Sequence, residues 1–182
     1  LIAFESAEII EQKKFEFNTG CTFIVNDQDA LTFLSLKYGI IKNLDFCFTC
    51  PYKKITIDNL EIGTKFSFFK KENISSAISF CSTLQLEEYL FAGILSKEIG
   101  NLTSHFNLGC TANKKNIENY FISGAIEFPM NKKLVLSGEI IDEMDENNVN
   151  TLAISLNGNL QILDQLSFDL GIGIDNNSNS EI

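Results

Sequence analysis

Residues Ile94 to Thr111 read ILSKEIGNLTSHFNLGCT, two alternating segments joined at Gly100-Asn101. Glycine takes the positive φ angles of a tight hairpin turn at no steric cost, and asparagine tolerates them better than most residues. In the second arm Leu102, Ser104, Phe106, Leu108 and Cys110 share one face, and Thr103, His105, Asn107, Gly109 and Thr111 share the other. A period of two is the strand period, so one face suits an apolar surrounding and the other suits water.

The same pattern extends in both directions. Lys14 to Asn26 sets Phe15, Phe17, Cys21, Phe23 and Val25 against Glu16, Asn18, Gly20 and Thr22. Ala30 to Tyr38 and Leu44 to Cys50 follow, the latter ended by Pro51, which has no N–H for a ladder. Ile57 to Phe69 opposes Leu60, Ile62, Phe66 and Phe68 to Glu61, Gly63, Lys65 and Ser67, and Ile74 to Leu84 leads into the central hairpin. Beyond it the spacing predicts strands at Tyr120–Phe128, Leu134–Ile141, Thr151–Leu160 and Leu166–Asp175. Asp142 to Asn150 (DEMDENNVN) reads as an acidic loop, residues 1–13 as a terminal arm, and 176–182 as a polar tail after a barrel spanning 14–175. No segment of useful length shows a helical period, so the class is all-β.

Connections alternate in character. GIIKN, KKEN, GN, PMNKK and QILDQ are brief, whereas the segments around Pro51–Thr56, Thr111–Asn119 and Asp142–Asn150 are longer or more polar. That parity is the habit of an antiparallel up-and-down barrel of the outer-membrane type, with tight turns on one rim. Purely antiparallel closure needs an even strand count. Eleven visible strands therefore predict a twelfth, either beyond Ile182 or within Leu1–Ile10.

Composition narrows the function classes. With 45% hydrophobic and 21% charged residues among 182, the chain is too apolar to be disordered. No run approaches the ~20 apolar residues of a spanning helix, so any membrane role falls to strands or to peripheral binding. The net charge of −10, without a basic cluster, argues against nucleic-acid partners. Cys47 and Cys50 form a C-x-x-C inside LDFCFTCPY, but an offset of three on a strand places the thiols on opposite faces and opposes joint metal binding. His105 is the single histidine and has no nucleophile motif beside it. The reading is a non-enzymatic protein without cofactor or metal. The absence of Trp leaves any aromatic girdle to Phe and Tyr.

Glu16, Asp45, Glu61, Lys65, Glu127, Glu139 and Asp169 lie opposite the apolar face of their strands, as does His105. In a barrel these point into the lumen, since a basic side chain facing lipid costs ~2–4 kcal/mol at the midplane. Acidic residues dominate the set, which predicts a negative lumen. Glu61 and Glu139 read as mid-wall positions, with Lys65 as a partial counter-charge.

At LSLKYGIIKNLDFCFTCPY, Leu34 to Tyr52, the chain resembles the outer-membrane transporter-like β-barrel family linked to the meta-pathway of phenol degradation in Gram-negative bacteria. The family idiom of a Tyr-Gly turn, a short lead-in of Asn or Asp, Leu and Glu, and a strand closing in Pro-Tyr corresponds to Lys37-Tyr38-Gly39, Asn43-Leu44-Asp45 and Pro51-Tyr52. Ser96 to Thr111 and Leu134 to Glu143 are similar too. The resemblance implies transport of small, often hydrophobic compounds, with outer-membrane lipid as the surrounding and no catalytic residues. A soluble β-sandwich that binds a ligand, or an extracellular assembly subunit with open edge strands, would alternate in the same way.

Overall fold

A computed structural model describes residues 6–25, 29–51, 60–147 and 149–176. Eleven strands follow in chain order: β1 (Phe15–Ile24), β2 (Asp29–Ile41), β3 (Leu44–Pro51), β4 (Glu61–Lys71), β5 (Ile74–Thr83), β6 (Glu88–Ile99), β7 (Leu102–Asn113), β8 (Ile117–Pro129), β9 (Leu134–Asp145), β10 (Asn150–Leu163) and β11 (Leu166–Asp175). Each pairs antiparallel with its chain neighbours, and β1 pairs with β11 to close a barrel. Turns of two residues join β2 to β3, β4 to β5, β6 to β7 and β10 to β11, and 130–133 join β8 to β9. All five lie on one rim, but the expected contrast in length is weaker than the sequence suggests: on the other rim β5 joins β6 through 84–87 and β7 joins β8 through only 114–116, because strand pairing takes up most of Thr111–Asn119. Gly100, at φ +63°, turns the central hairpin.

Closure departs from expectation. An eleven-strand meander brings its last strand back in the same direction as its first, and the two pair in parallel from Phe17↔Leu166 to Ile24↔Gly173. A parallel ladder satisfies the same backbone groups as an antiparallel one. No gap is left for the expected twelfth strand. Nor are β1 and β11 open edges, as an assembly subunit of that kind would need. The wall is one closed sheet and not two packed ones.

Other boundaries shift as well. β9 runs through the acidic stretch to Asp145 and β10 begins at Asn150, because Met144 pairs with Asn150 across a tight turn. β10 likewise absorbs most of QILDQ, with a bulge between Gln161 and Leu163. Tyr52, the expected strand start at Ile57 and the tail from 177 onward lie outside the described residues.

The two faces separate as the period requires. Phe106, Leu108, Ile126, Phe128, Leu170 and Ile172 are exposed on the outer wall, each by 43–55%. Asn107, Ser123 and Ser155 on neighbouring inward positions are buried. The interior is narrow and filled mainly by small residues, with a mid-lumen layer of Ala77, Ala92, Ile94 and Phe121. Space is allotted by glycine. Gly109 pairs with Phe121, and a Cβ at Gly109 would overlap both the Phe121 ring and the Phe91 carbonyl oxygen. Gly93, on the outer face, has nothing nearer to such a Cβ than 3.8 Å.

Gly109→Ala should therefore destabilise the barrel by ~1–3 kcal/mol through overpacking. Gly93→Ala should be neutral or stabilising by about 0.5 kcal/mol, through loss of unfolded-state freedom. Denaturant midpoints of the two variants check this; equal shifts would contradict the packing described.

Candidate functional site

The polar interior is built from inward positions spaced two apart, and its centre is occupied by the chain's own N-terminal arm. Residues 6–10 run into the barrel and 11–14 are exposed at its rim; neither part belongs to the wall. Ala7 is 1% exposed and packs with the mid-lumen layer of Ala77, Ala92, Ile94 and Phe121.

Backbone groups of the arm meet side chains of three strands. Lys65 on β4 donates from Nζ to the Ser6 carbonyl at 3.1 Å. The Ile10 N–H donates to Asp45 Oδ2 on β3 at 3.3 Å. The Ala7 N–H donates to Ser96 Oγ on β6 at 2.9 Å, and Ser96 Oγ lies 2.8 Å from His105 Nδ1 on β7. Ser96 Oγ thus bridges the arm and the His105 ring, whose other nitrogen is Nε2. That nitrogen is 3.3 Å from Glu127 Oε2 on β8. These contacts thus run from the arm along three neighbouring strands of the wall, β6 to β8. Asp45 and Lys65 are register partners, and both are buried, so two opposite charges share the layer that holds the arm.

At the short-turn rim the arm folds back into β1. Lys14 N–H donates to the Glu11 carbonyl, Lys13 N–H to the Gly39 carbonyl, and Gly39 N–H to the Lys14 carbonyl. Lys13 takes a positive φ of 66° there. Gly39 is buried against the arm, and a Cβ on it would overlap the carbonyl oxygens of Ile10 and Glu11. The Gly of Lys37-Tyr38-Gly39 is thus a seat for the arm, within β2 and not at its turn.

Beside the arm a vestibule of about 330 Å³ lies near the short-turn rim. Glu16, Lys37, Glu127 and Asp169 line it with Asn18 and Asn159. Lys37 Nζ stands 3.8 Å from Glu16 Oε1, which also accepts from Asn18 at 2.8 Å. Asn159 donates to Asp169 Oδ1 at 2.7 Å. Asn18 in turn is joined to Ser167 across the parallel seam.

The eight candidates therefore divide. Asp45, Lys65 and His105 hold the arm; Glu16, Glu127 and Asp169 line the vestibule; Glu139 is buried in the wall with Ser155 Oγ donating to it at 3.4 Å. Glu61 is corrected from a mid-wall position to the far end. It is the first residue of β4, within 3.9 Å of Cys81 Sγ, and the register counter-charge of Lys65 is Asp45. Lys37 and Ser96 are not among the candidates the sequence offers, and the terminal arm expected over 1–13 carries no sign there of docking in the lumen. Period two alone would have placed Lys37 inward, between Leu36 and Tyr38. Cys47 and Cys50 fall on opposite faces of β3, since Cys47 pairs with inward Lys37 and Cys50 with outward Leu34.

Several inward side chains of this layer are buried to below a tenth of their surface, among them Asp45, Lys65, His105, Asn107 and Glu139. A water-filled channel at their level would leave them wet. The lumen is closed there by side chains and arm together. Comparisons of the chain with protein-family models, with curated proteins and with solved structures find no match.

Gly39→Ala should displace the arm while leaving the wall paired. Amide exchange at Ala7 and Ile10 should accelerate about tenfold or more, given the ~1–3 kcal/mol that overpacking costs, and that at Leu108 should not change. Retained protection at Ala7 and Ile10 would show that the arm is held by something other than this seat.

Proposed function

We propose that this chain is a bilayer-embedded β-barrel of the outer-membrane type that passes small solutes through its lumen, and that residues 6–10 keep the lumen shut in the state described. The observation that carries the reading is the inverted distribution of polarity. Leu156, Leu170 and Ile172 are exposed by 64%, 52% and 52% on the outside, while Asp45, Lys65 and Glu139 are buried within. Water would penalise so continuous an apolar wall, whereas lipid would not, and a closed ladder leaves no unsatisfied backbone edge in hydrocarbon. Strands of 8–14 residues match the length a tilted strand needs to cross. Tyr38, Tyr89 and Tyr120 stand near strand ends, as an interfacial girdle requires. The likeness to the phenol-pathway barrel family points the same way.

The vestibule gives the solute its chemistry. Its charged and amide lining suits small water-soluble molecules and cations better than the hydrophobic compounds the family likeness implies. Glu16, Asp45, Glu127, Glu139 and Asp169 outnumber Lys37 and Lys65, so the potential inside favours cations once the arm withdraws.

In a planar lipid bilayer under a salt gradient the parent chain should be mostly closed. Gly39→Ala should conduct with a cation-selective reversal potential, and adding Glu16→Gln with Asp169→Asn should reduce that selectivity. Well-folded, inserted protein that never conducts in either form would remove the pore and leave a closed barrel; anion selectivity would contradict the acidic lumen.

A further inference from the structure

Among the described residues the two rims differ in charge, and the difference coincides with the edge of the apolar belt. On the short-turn rim Lys42, Lys70, Lys71, Lys97, Lys132 and Lys133 are all exposed. Lys42, Lys70, Lys71 and Lys97 stand at the border of outward apolar side chains, and Lys132 and Lys133 stand between that border and the mouth of the vestibule, which they also line. Ile40 and Ile41 precede Lys42, Phe68 and Phe69 precede Lys70, Leu95 and Ile99 flank Lys97 along its face, and Phe128 and Met130 precede Lys132. Glu72, Glu98 and Asp164 on that rim offset only part of the charge. On the opposite rim Glu87, Glu88, Asp142 and Glu146 face outward or to solvent, against Lys114 and Lys115, and Lys114 is engaged with Glu87 at 4.0 Å. Lysine on a flexible stem beside apolar surface keeps its methylenes in the apolar layer and lifts its ammonium to the polar boundary.

We propose that the short-turn rim is a binding collar for anionic lipid headgroups, and that it sets which leaflet this end of the barrel occupies. The proposal rests on the bilayer reading above. Its occupant is a leaflet rich in phosphate-bearing anionic lipid, because six ammonium groups arranged around the border of an apolar belt match headgroup charge at the depth where it lies. Juxtamembrane lysines are drawn to such a surface by its negative potential. The net charge of the whole chain, −10, predicts the opposite preference. Attraction to anionic lipid therefore identifies a local collar and not overall charge.

The test compares insertion of the unfolded full chain into vesicles of phosphatidylcholine alone and of phosphatidylcholine with phosphatidylglycerol, read as the fraction reaching the protease-resistant folded form. The parent should prefer the anionic vesicles about tenfold or more, and the preference should collapse in high salt. Lys70→Gln, Lys71→Gln, Lys132→Gln and Lys133→Gln together should abolish it while leaving insertion into phosphatidylcholine unchanged, which shows that the variant folds. Insertion into both vesicles without an anionic preference, or a preference kept by the four-site variant, overturns the collar and leaves the bilayer reading standing. Failure of the parent to insert into either vesicle overturns the bilayer reading and the collar with it.

Discussion

The parallel ladder between Phe17–Ile24 and Leu166–Gly173 is the constraint on which the rest depends. It turns a meander with two exposed edges into a ring. Once the ring is closed, the strand period leaves every side chain only two destinations. The sequence assigns bulky aliphatic and aromatic residues to one and small, polar or charged residues to the other. An eleven-strand ring is too narrow to leave the second set well hydrated, so the interior must be packed like a core although much of it is polar. The serines at 35, 79, 96, 123, 155 and 167 answer both demands, being small and able to bond within the wall.

The same narrowness explains how a short arm can occupy the lumen. Polar groups on the arm's backbone would be costly to bury without partners, and Lys65, Asp45 and Ser96 supply them. Conversely, of the two charges buried in one layer, Asp45 accepts a hydrogen bond from the arm and Lys65 donates one to it, in place of water. Arm and wall are mutually dependent: with the arm docked, both sets of groups are satisfied.

Strands and faces were legible because alternation is written in side chains. Phe106 against Asn107, or Leu170 against Gly171, needs no structure to interpret. The terminal arm was legible but its docking was not, because Ser6, Ala7 and Ile10 dock through backbone groups that every residue possesses, and the trace of docking in the sequence is confined to the small Ala7 and to Gly39. The expected twelfth strand failed for a topological reason, since parity governs only purely antiparallel closure. Asp142 to Asp145 was assigned to a loop from its acidity, but pairing with β10 outweighs local propensity at a barrel end. Lys37 was legible and overlooked amid a turn motif, and Glu61 was misplaced because the strand carrying it begins at Glu61 itself.

The central claim is that the apolar outer wall meets lipid, and NMR of the refolded chain in bicelles tests it most directly. Ile122, Ile126, Ile140 and Ile172 are about half-exposed on the wall, whereas Ile94 and Ile141 are buried inside. The outward isoleucine methyl groups should show intermolecular NOEs to lipid acyl-chain protons, and Ile94 and Ile141 should show none. A chain that stays monodisperse without detergent or lipid, with those outward methyls broadened by a water-soluble paramagnetic agent and no acyl-chain NOEs in bicelles, would contradict it.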